Sequence, residues 1–340
     1  MLELYVIFFT LFLTLTINYI LKKKNFLLDK KYSSHKSLVS NDEVPLSGGI
    51  IFLLSLLVFD KPEFYQFKII LLSIFFIGML SDINFISSPI KRISIQIFII
   101  CLYLYIMPTY IYSIRWDFFD YYLQNSYIGY FFTILCLAIL INGSNFMDGL
   151  NILVVGYFLI VTYVVFHLSN NFDLELDFYL VKIILATLLV IFVFNFFGLL
   201  FLGDSGAYLI SFVIGCILIH FSYDNNHIVS PYFIACMLWY PAYENLFSII
   251  RKKINKKSAT KPDMTHLHQL LYIFVRNKLS YSDKSINTLT GSIVIFFNLL
   301  ILIIGAKNFN DSKILILLII SSVIFYNFIY YYLKNKNRTS

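Results

Sequence analysis

The sequence predicts an all-α, polytopic integral membrane protein of about eleven spanning helices, its N-terminus outside and its C-terminus cytoplasmic. Three observations carry that expectation. The 340-residue chain is 59% hydrophobic and 13% charged, whereas soluble domains carry about 25% charged residues. Its apolar residues come in continuous blocks near the length that crosses a bilayer, about 20 residues. Its lysines and arginines gather in alternate loops, as cytoplasmic segments do.

The blocks fall at residues 2–21, 46–60, 66–81, 93–109, 127–142, 150–168, 178–196, 206–221, 230–250, 286–305 and 312–333. The first has no basic segment before it and no small-residue cleavage site after it, so it reads as a span and not as a leader. The second, third and eighth are short, but the polar loops around them leave them little alternative to crossing. The runs do not alternate in polarity, which argues against a β-barrel. With the N-terminus outside, 20 of the 26 basic residues lie in cytoplasmic loops or the C-terminal tail and 6 lie outside. The net charge of +7 therefore reports loop orientation, and no nucleic-acid partner is expected. The four cysteines sit in apolar runs without a C-x-x-C spacing and read as packing residues. No internal repeat is evident. The chain reads as one membrane-embedded domain, 1–340, with functional loops at 22–46, 82–92, 142–150, 195–206 and 251–285.

The unusual polar sequences all fall in loops on the predicted cytoplasmic face. They are His35-Lys36 with Val44-Pro-Leu-Ser-Gly-Gly49, Ser81-Asp82 with Ser88-Pro-Ile-Lys-Arg92, and Asn142-Gly-Ser-Asn-Phe-Met-Asp-Gly149. Phe194-Asn-Phe with Phe201-Leu-Gly-Asp-Ser-Gly206 and Lys261-Pro-Asp-Met-Thr-His-Leu-His268 complete the set. Carboxylate and amide oxygens are hard ligands that suit Mg²⁺, which usually binds through one or two carboxylates plus substrate phosphates. Lys and Arg neutralise phosphate oxygens, and glycines let backbone N–H groups approach a phosphate. This face therefore fits a phosphorylated cytoplasmic substrate, a divalent cation and a partner within the lipid. Each piece also has a plainer reading. Asp82 can end a helix, and Asp148 and Asp204 can sit in turns. His266 and His268, two apart, are poorly placed to share a helix face. Glu244, inside the ninth apolar block, must meet a partner or a cavity, and a helix-packing hydrogen bond would satisfy it.

On these residues the sequence resembles the polyprenyl-phosphate N-acetylhexosamine-1-phosphate transferases, in the undecaprenyl-phosphate GlcNAc-1-phosphate transferase branch. The motifs Asn142-x-x-Asn145-x-x-Asp148-Gly, Phe194-Asn-Phe with Phe201-Leu-Gly-Asp-Ser-Gly, and Pro262-Asp263-x-x-His266-Leu-His268 carry the resemblance, supported by Val44-Pro-Leu-Ser-Gly-Gly and Pro241-x-x-Glu244. The resemblance implies that undecaprenyl phosphate attacks the β-phosphorus of a UDP-N-acetyl sugar and UMP leaves. Such a reaction begins assembly of a surface polysaccharide such as O-antigen, at a bacterial inner membrane. It implies Asp82, Asp148 and Asp204 as catalytic residues, with Asp204 the Mg²⁺ ligand (Mn²⁺ the alternative ion) and Asp82 positioning or deprotonating the lipid phosphate. Lys36, Arg92, Asn142, Asn145, Asn195, His266 and His268 would bind substrate. The implied partners are the UDP-sugar, undecaprenyl phosphate, membrane lipid and a second copy in a homodimer.

Three motifs depart from the family pattern. Ser81 stands where the family has the first of two adjacent aspartates, Asn151-Ile152 where it has a second Asp-Gly, and Gln269 where it has a third histidine. Among enzymes of this kind the phospho-MurNAc-pentapeptide translocase ranks second, because it usually carries three consecutive histidines. A transporter or a scaffold is the alternative from another class. A transporter would place charges at the membrane midplane, where only Glu244 is a candidate.

Overall fold

A computed structural model describes residues 1–29, 43–59, 65–256 and 265–339. His35, Lys36 and the segment Lys261-Pro-Asp-Met264, all singled out from the sequence, lie outside the described residues. Among those described there are fourteen α-helices. In chain order they are α1 (Leu2–Lys24), α2 (Gly48–Phe59), α3 (Tyr65–Asp82), α4 (Pro89–Ile106), α5 (Asp117–Leu123), α6 (Ser126–Met147) and α7 (Leu153–Phe172). There follow α8 (Phe178–Phe196), α9 (Gly203–Asp224), α10 (Pro231–Met237), α11 (Trp239–Ile254), α12 (Leu267–Lys278), α13 (Asp283–Lys307) and α14 (Ser312–Thr339).

A helix stands at each of the apolar blocks. By length and composition 8 of the helices can cross a membrane, and 9 if the bent pair α10–α11 counts as one. The multi-pass, all-helical class is as predicted. The ninth block corrects the expectation of one straight span, because its helix is broken and turned by 71° between α10 and α11. Pro241 supplies the reason. It has no N–H to donate, and its ring excludes the carbonyl four residues earlier. That carbonyl, on Met237, accepts instead from the Tyr157 hydroxyl at 2.8 Å.

A second correction concerns the predicted loop 142–150. Nothing breaks the helix before Asp148, so Asn142 and Asn145 lie in the last turns of α6. Asn142 Nδ2 donates back to the Ala138 carbonyl at 2.8 Å, which satisfies it within the helix. The long loop 251–285 likewise contains the short helix α12.

Helix α9 is the axis of the bundle. It packs against α2, α3, α6, α7 and α10, and Tyr208, Leu209, Phe212 and Val213 on it are fully enclosed. A helix apolar all round belongs inside. At the edges, α1 and α14 present Phe8, Phe12, Leu317 and Phe328 outward, the side chains a lipid solvent would accept. Ahead of α2 and α9 two motifs are stitched together. Gly48 N–H donates to the Phe201 carbonyl at 3.0 Å and Phe201 N–H to that of Pro45 at 2.9 Å. The C-terminal ends of α3, α6, α8 and α11 and the N-terminal ends of α4, α9 and α13 thus meet at one end of the bundle, where the motifs lie.

Candidate active site

The first cluster forms where α3 ends on α9. The first N–H groups of a helix have no partner inside it. Asp82 supplies one: its Oδ1 accepts from Asp204 N–H at 2.7 Å, and its Oδ2 from Ser205 N–H at 3.1 Å and Ser205 Oγ at 2.8 Å. Gly203, at φ +71°, makes this approach possible, since a Cβ there would lie 2.7 Å from Asp82 Oδ2. Asp82 therefore fixes Asp204. Asp204 Oδ2 in turn accepts from Ser81 Oγ at 2.5 Å and from Arg92 Nη1 at 2.9 Å. The same Nη1 reaches Ser81 Oγ at 2.6 Å and the Tyr208 hydroxyl at 3.4 Å. Arg92 is aimed by the start of α4, where Ser88 Oγ accepts from Lys91 N–H and Pro89 takes the first helical position, as a helix start favours.

The second cluster surrounds Glu244 on α11. Its Oε2 lies 2.9 Å from His266 Nδ1 and its Oε1 lies 3.7 Å from His268 Nδ1. The Tyr240 hydroxyl donates to Oε1 at 3.3 Å. The expectation that the two histidines diverge is corrected here: their rings lie 5.7 Å apart with planes at 21°. The spacing argument assumed that both stand in a helix. His266 is instead the extended N-cap of α12 (ψ 152°), and only His268 is helical. Gln269, the departure from three histidines, accepts the His266 N–H at 3.1 Å and closes the cap. Burial holds the His268 imidazole below the ordinary histidine range, against the opposing pull of Glu244.

A third group braces the turn after α6. Asn195 Oδ1 accepts from Ile152 N–H, and its Nδ2 donates to the Leu200 carbonyl at 2.8 Å. Asn151 N–H donates to Asn287 Oδ1 at 2.6 Å, and its Nδ2 to Thr288 Oγ1 at 3.1 Å. Asn195 thus shapes the turn that carries Asp148 and Gly149. Gly149 closes on the second cluster, because a Cβ there would lie 3.0 Å from His268 Nε2.

The clusters lie along one row. Arg92 and Gln96 are one turn apart on α4, and Asn142 and Phe146 one turn apart on α6, so each pair shares a face. Asn142 Nδ2 donates to Gln96 Oε1 at 3.0 Å, and the rings of Phe146 and His266 lie 5.2 Å apart. The row runs from Asp204 through Arg92, Gln96, Asn142 and Phe146 to His266. Asn145 lies on the same last turns of α6, where its carbonyl accepts from Asp148 N–H at 3.3 Å. The sequence reading left Ser81 a mere departure and missed Ser205 and Tyr208. Their signal was positional: Ser81 adjoins Asp82, while Ser205 and Tyr208 follow Asp204 within about one helical turn.

Among the described residues no three His, Cys, Asp or Glu side chains converge as a metal cage. Mg²⁺ does not require one. Asp204 Oδ2 and the Ser81 hydroxyl are hard oxygen donors in contact with each other, Asp82 orders the Asp204 backbone from behind, and one carboxylate suffices when substrate phosphates complete the shell. The donor set fits the ion.

Acids, an arginine and paired imidazoles thus come together at one end of an all-helical bundle whose helices include 8 long and apolar enough to cross a membrane. Residues 65–222 match the model of glycosyl transferase family 4. The match runs from α3 to α9 and includes Asp82, Arg92, Asp148, Asn195 and Asp204. The chain is 29% identical over 151 residues, 44% of its length, to a Bacillus subtilis protein called probable undecaprenyl-phosphate N-acetylglucosaminyl 1-phosphate transferase. It is 24% identical over 240 residues, 67% of its length, to the undecaprenyl-phosphate alpha-N-acetylglucosaminyl 1-phosphate transferase of Salmonella typhi. The matched segments span 42% of the first relative and 65% of the second.

Proposed function

We propose that this protein transfers N-acetylhexosamine 1-phosphate, with GlcNAc 1-phosphate the first choice, from a UDP-sugar to undecaprenyl phosphate at the cytoplasmic face of a bacterial inner membrane. An oxygen of the lipid phosphate forms a bond to the β-phosphorus of the donor. The bond from that phosphorus to the bridging oxygen breaks, and the oxygen leaves on UMP. The product is a lipid diphosphate sugar, the first membrane intermediate of a surface polysaccharide such as O-antigen.

The observation that carries the reading is the row joining Asp204 and Arg92 to His266 at one end of the bundle. Phosphoryl transfer asks the protein mainly for positioning and for neutralisation of charge on the phosphoryl oxygens. Arg92 supplies positive charge within 2.9 Å of Asp204, and Lys36 is assigned to the same task. His266 and His268 contact the sugar phosphate. Asn142, Asn145, Asp148 and Asn195 form or shape the wall for nucleotide and diphosphate. Asp204 would hold Mg²⁺, and Asp82 keeps Asp204 in place as the first residue behind the ion. When bound, the ion neutralises phosphoryl oxygens. The relatives' names and the excess of basic residues on the motif side support acceptor and orientation.

The test is UMP release by purified protein given undecaprenyl phosphate and a panel of UDP-N-acetyl sugars, including UDP-MurNAc-pentapeptide. Release should occur with one N-acetylhexosamine donor, stop with EDTA, and fall at least 10²-fold in Asp204→Asn, as loss of a transition-state electrostatic group does. Wild-type turnover by a folded Asp204→Asn chain would overturn the assignment of Asp204.

A further inference from the structure

Helices α4 and α6 pack against each other, and each carries a stripe of exposed apolar side chains. The stripes are Phe98, Leu102 and Tyr105 on α4 and Tyr127, Phe131 and Leu135 on α6. Spacings of three or four residues keep each stripe on one face. On helices long and apolar enough to cross a bilayer, such a face meets lipid. Between the two spans, at the end of the bundle away from the motifs, stands the short helix α5, packed on α6.

The segment 116–122 exposes five aromatic side chains: Trp116, Phe118, Phe119, Tyr121 and Tyr122. Their rings form one plate, with Phe118 lying 5.3 Å from Phe119 and 5.5 Å from Tyr122, and Trp116 lying 4.8 Å from Phe119. The exposure is built in. Asp120 sets the roll of α5, since its Oδ2 accepts from Ser113 Oγ and its Oδ1 from Ile114 N–H, both at 2.7 Å. Leu123, nearly one turn on, is buried. With these two turned inward, the 3.6-residue period turns Phe118, Tyr121 and Tyr122 outward. Asp117 falls on one flank and Phe119 on the other. The loop before α5 is pinned as well. Arg115 donates to the Asn226, Val229 and Asn310 carbonyls at 2.8, 3.0 and 3.2 Å. Tyr110 is seated on α6, where a Cβ at Gly129 would lie 2.3 Å from its ring.

The depth follows from α6. Its 22 residues span about 33 Å, slightly more than the hydrocarbon thickness of about 30 Å. Its last turn adjoins the motif turn, so its first turn, separated from α5 only by Gln124 and Asn125, stands at the level of the opposite headgroups. Tyrosine and tryptophan gather at that level, because their rings are apolar and their polar tips stay wet. Contiguous exposed apolar surface on a folded chain marks an interaction site.

We propose that Trp116 and α5 form an in-plane anchor seated in the phospholipid headgroup boundary of the leaflet away from the motif end. The occupant is the lipid surface and not a second copy of the chain, because the plate continues the two lipid-facing stripes, from Tyr105 and Tyr127 at their ends. Anchors of this kind fix how a bundle tilts in its bilayer. The anchor does not depend on the transferase reading.

The chain has two tryptophans, and Trp239 is buried, so Trp239→Phe leaves Trp116 as a single probe. Tyr121→Trp, in a chain that also carries Trp116→Phe and Trp239→Phe, is a second probe on α5 itself. Each is reconstituted in phosphatidylcholine brominated near either the carbonyl end or the methyl end of its acyl chains. Both probes should be quenched at least about twofold more by the bromines near the carbonyl, the depth of an interfacial aromatic. Any other depth for either probe overturns the proposal. Quenching by aqueous iodide without quenching by bromolipid would place the plate in water. Protection from both quenchers would place it against protein, and loss of that protection in nanodiscs holding one chain would identify a second copy as the occupant. Should Trp239→Phe fail to insert, the difference between the wild type and Trp116→Phe isolates Trp116, and Tyr121→Trp is read against Trp116→Phe in the same way.

Discussion

Ile152 adopts φ +60° and ψ −16°, a left-handed conformation that costs a side-chain-bearing residue roughly 1–2 kcal/mol and suits a β-branched one least. The family pattern has glycine at this position. Here Asn195 Oδ1 receives the Ile152 N–H and the side chain is buried, so neighbouring contacts outweigh the strain. Ile152→Gly loses core packing but relieves the backbone. Ile141→Gly, in the middle of α6 and fully buried, loses packing and adds about 1 kcal/mol of helix propensity cost. Thermal unfolding in detergent should therefore show a smaller loss for Ile152→Gly, and an equal or larger loss would remove the strain from the account. The residue types of the site were legible in the sequence because Asp, Asn and His between glycines at a membrane boundary have few uses. Their partners were not. That Ser81 bonds Asp204, and that Asn151 braces α13 through Asn287 and Thr288, depends on which helix ends meet, and no local pattern encodes that.

At the scale of elements, the contact between α6 and α11 decides where Glu244 stands. Gly143 has no Cβ because the Pro241 carbonyl occupies its place. Backbone cannot step aside as a side chain can. Gly143→Ala should separate the two helices, lower the melting temperature and reduce UMP release more than 10-fold, since a displacement of about 1 Å can cost 10²-fold. Gly215→Ala is the control. It lies in the equally buried α9, and the Cβ meets only the Leu137 and Leu140 methyl groups at 2.7 and 2.8 Å, which can rotate away. Equal effects of the two would overturn the reading. The positions of the long helices were legible from apolar length, while the short α5 and α12 lie outside the apolar blocks. The break at Leu238 was not, because the ninth block is as apolar as the others and its signal is the single Pro241, whose effect on a helix depends on a hydroxyl from α7 taking the freed carbonyl.

For the whole molecule, the eleven-span reading with the N-terminus outside, which would sort 20 basic residues to one side and 6 to the other, makes a prediction about sidedness. In a chain whose four cysteines are replaced by alanine, His227→Cys and Ser280→Cys probe opposite ends of the bundle, both at exposed positions. A membrane-impermeant maleimide should label residue 227 in intact spheroplasts and residue 280 only after permeabilisation. The reverse pattern would place the motif end outside and remove a cytoplasmic nucleotide from the reading.

The seating of Asp82 on α9 has a further consequence for anion recognition. The aligned peptide dipoles of a helix leave about half a positive charge at its N-terminus, and many proteins use such an end to hold a phosphate. In this protein the end is already occupied by an internal carboxylate bonded to Asp204 and Ser205. The macrodipole of α9 therefore serves to keep one acid ordered beside another, and inorganic phosphate should find no seat there. On the proposed transferase reading, discrimination among phosphorylated ligands falls to side chains such as the guanidinium of Arg92.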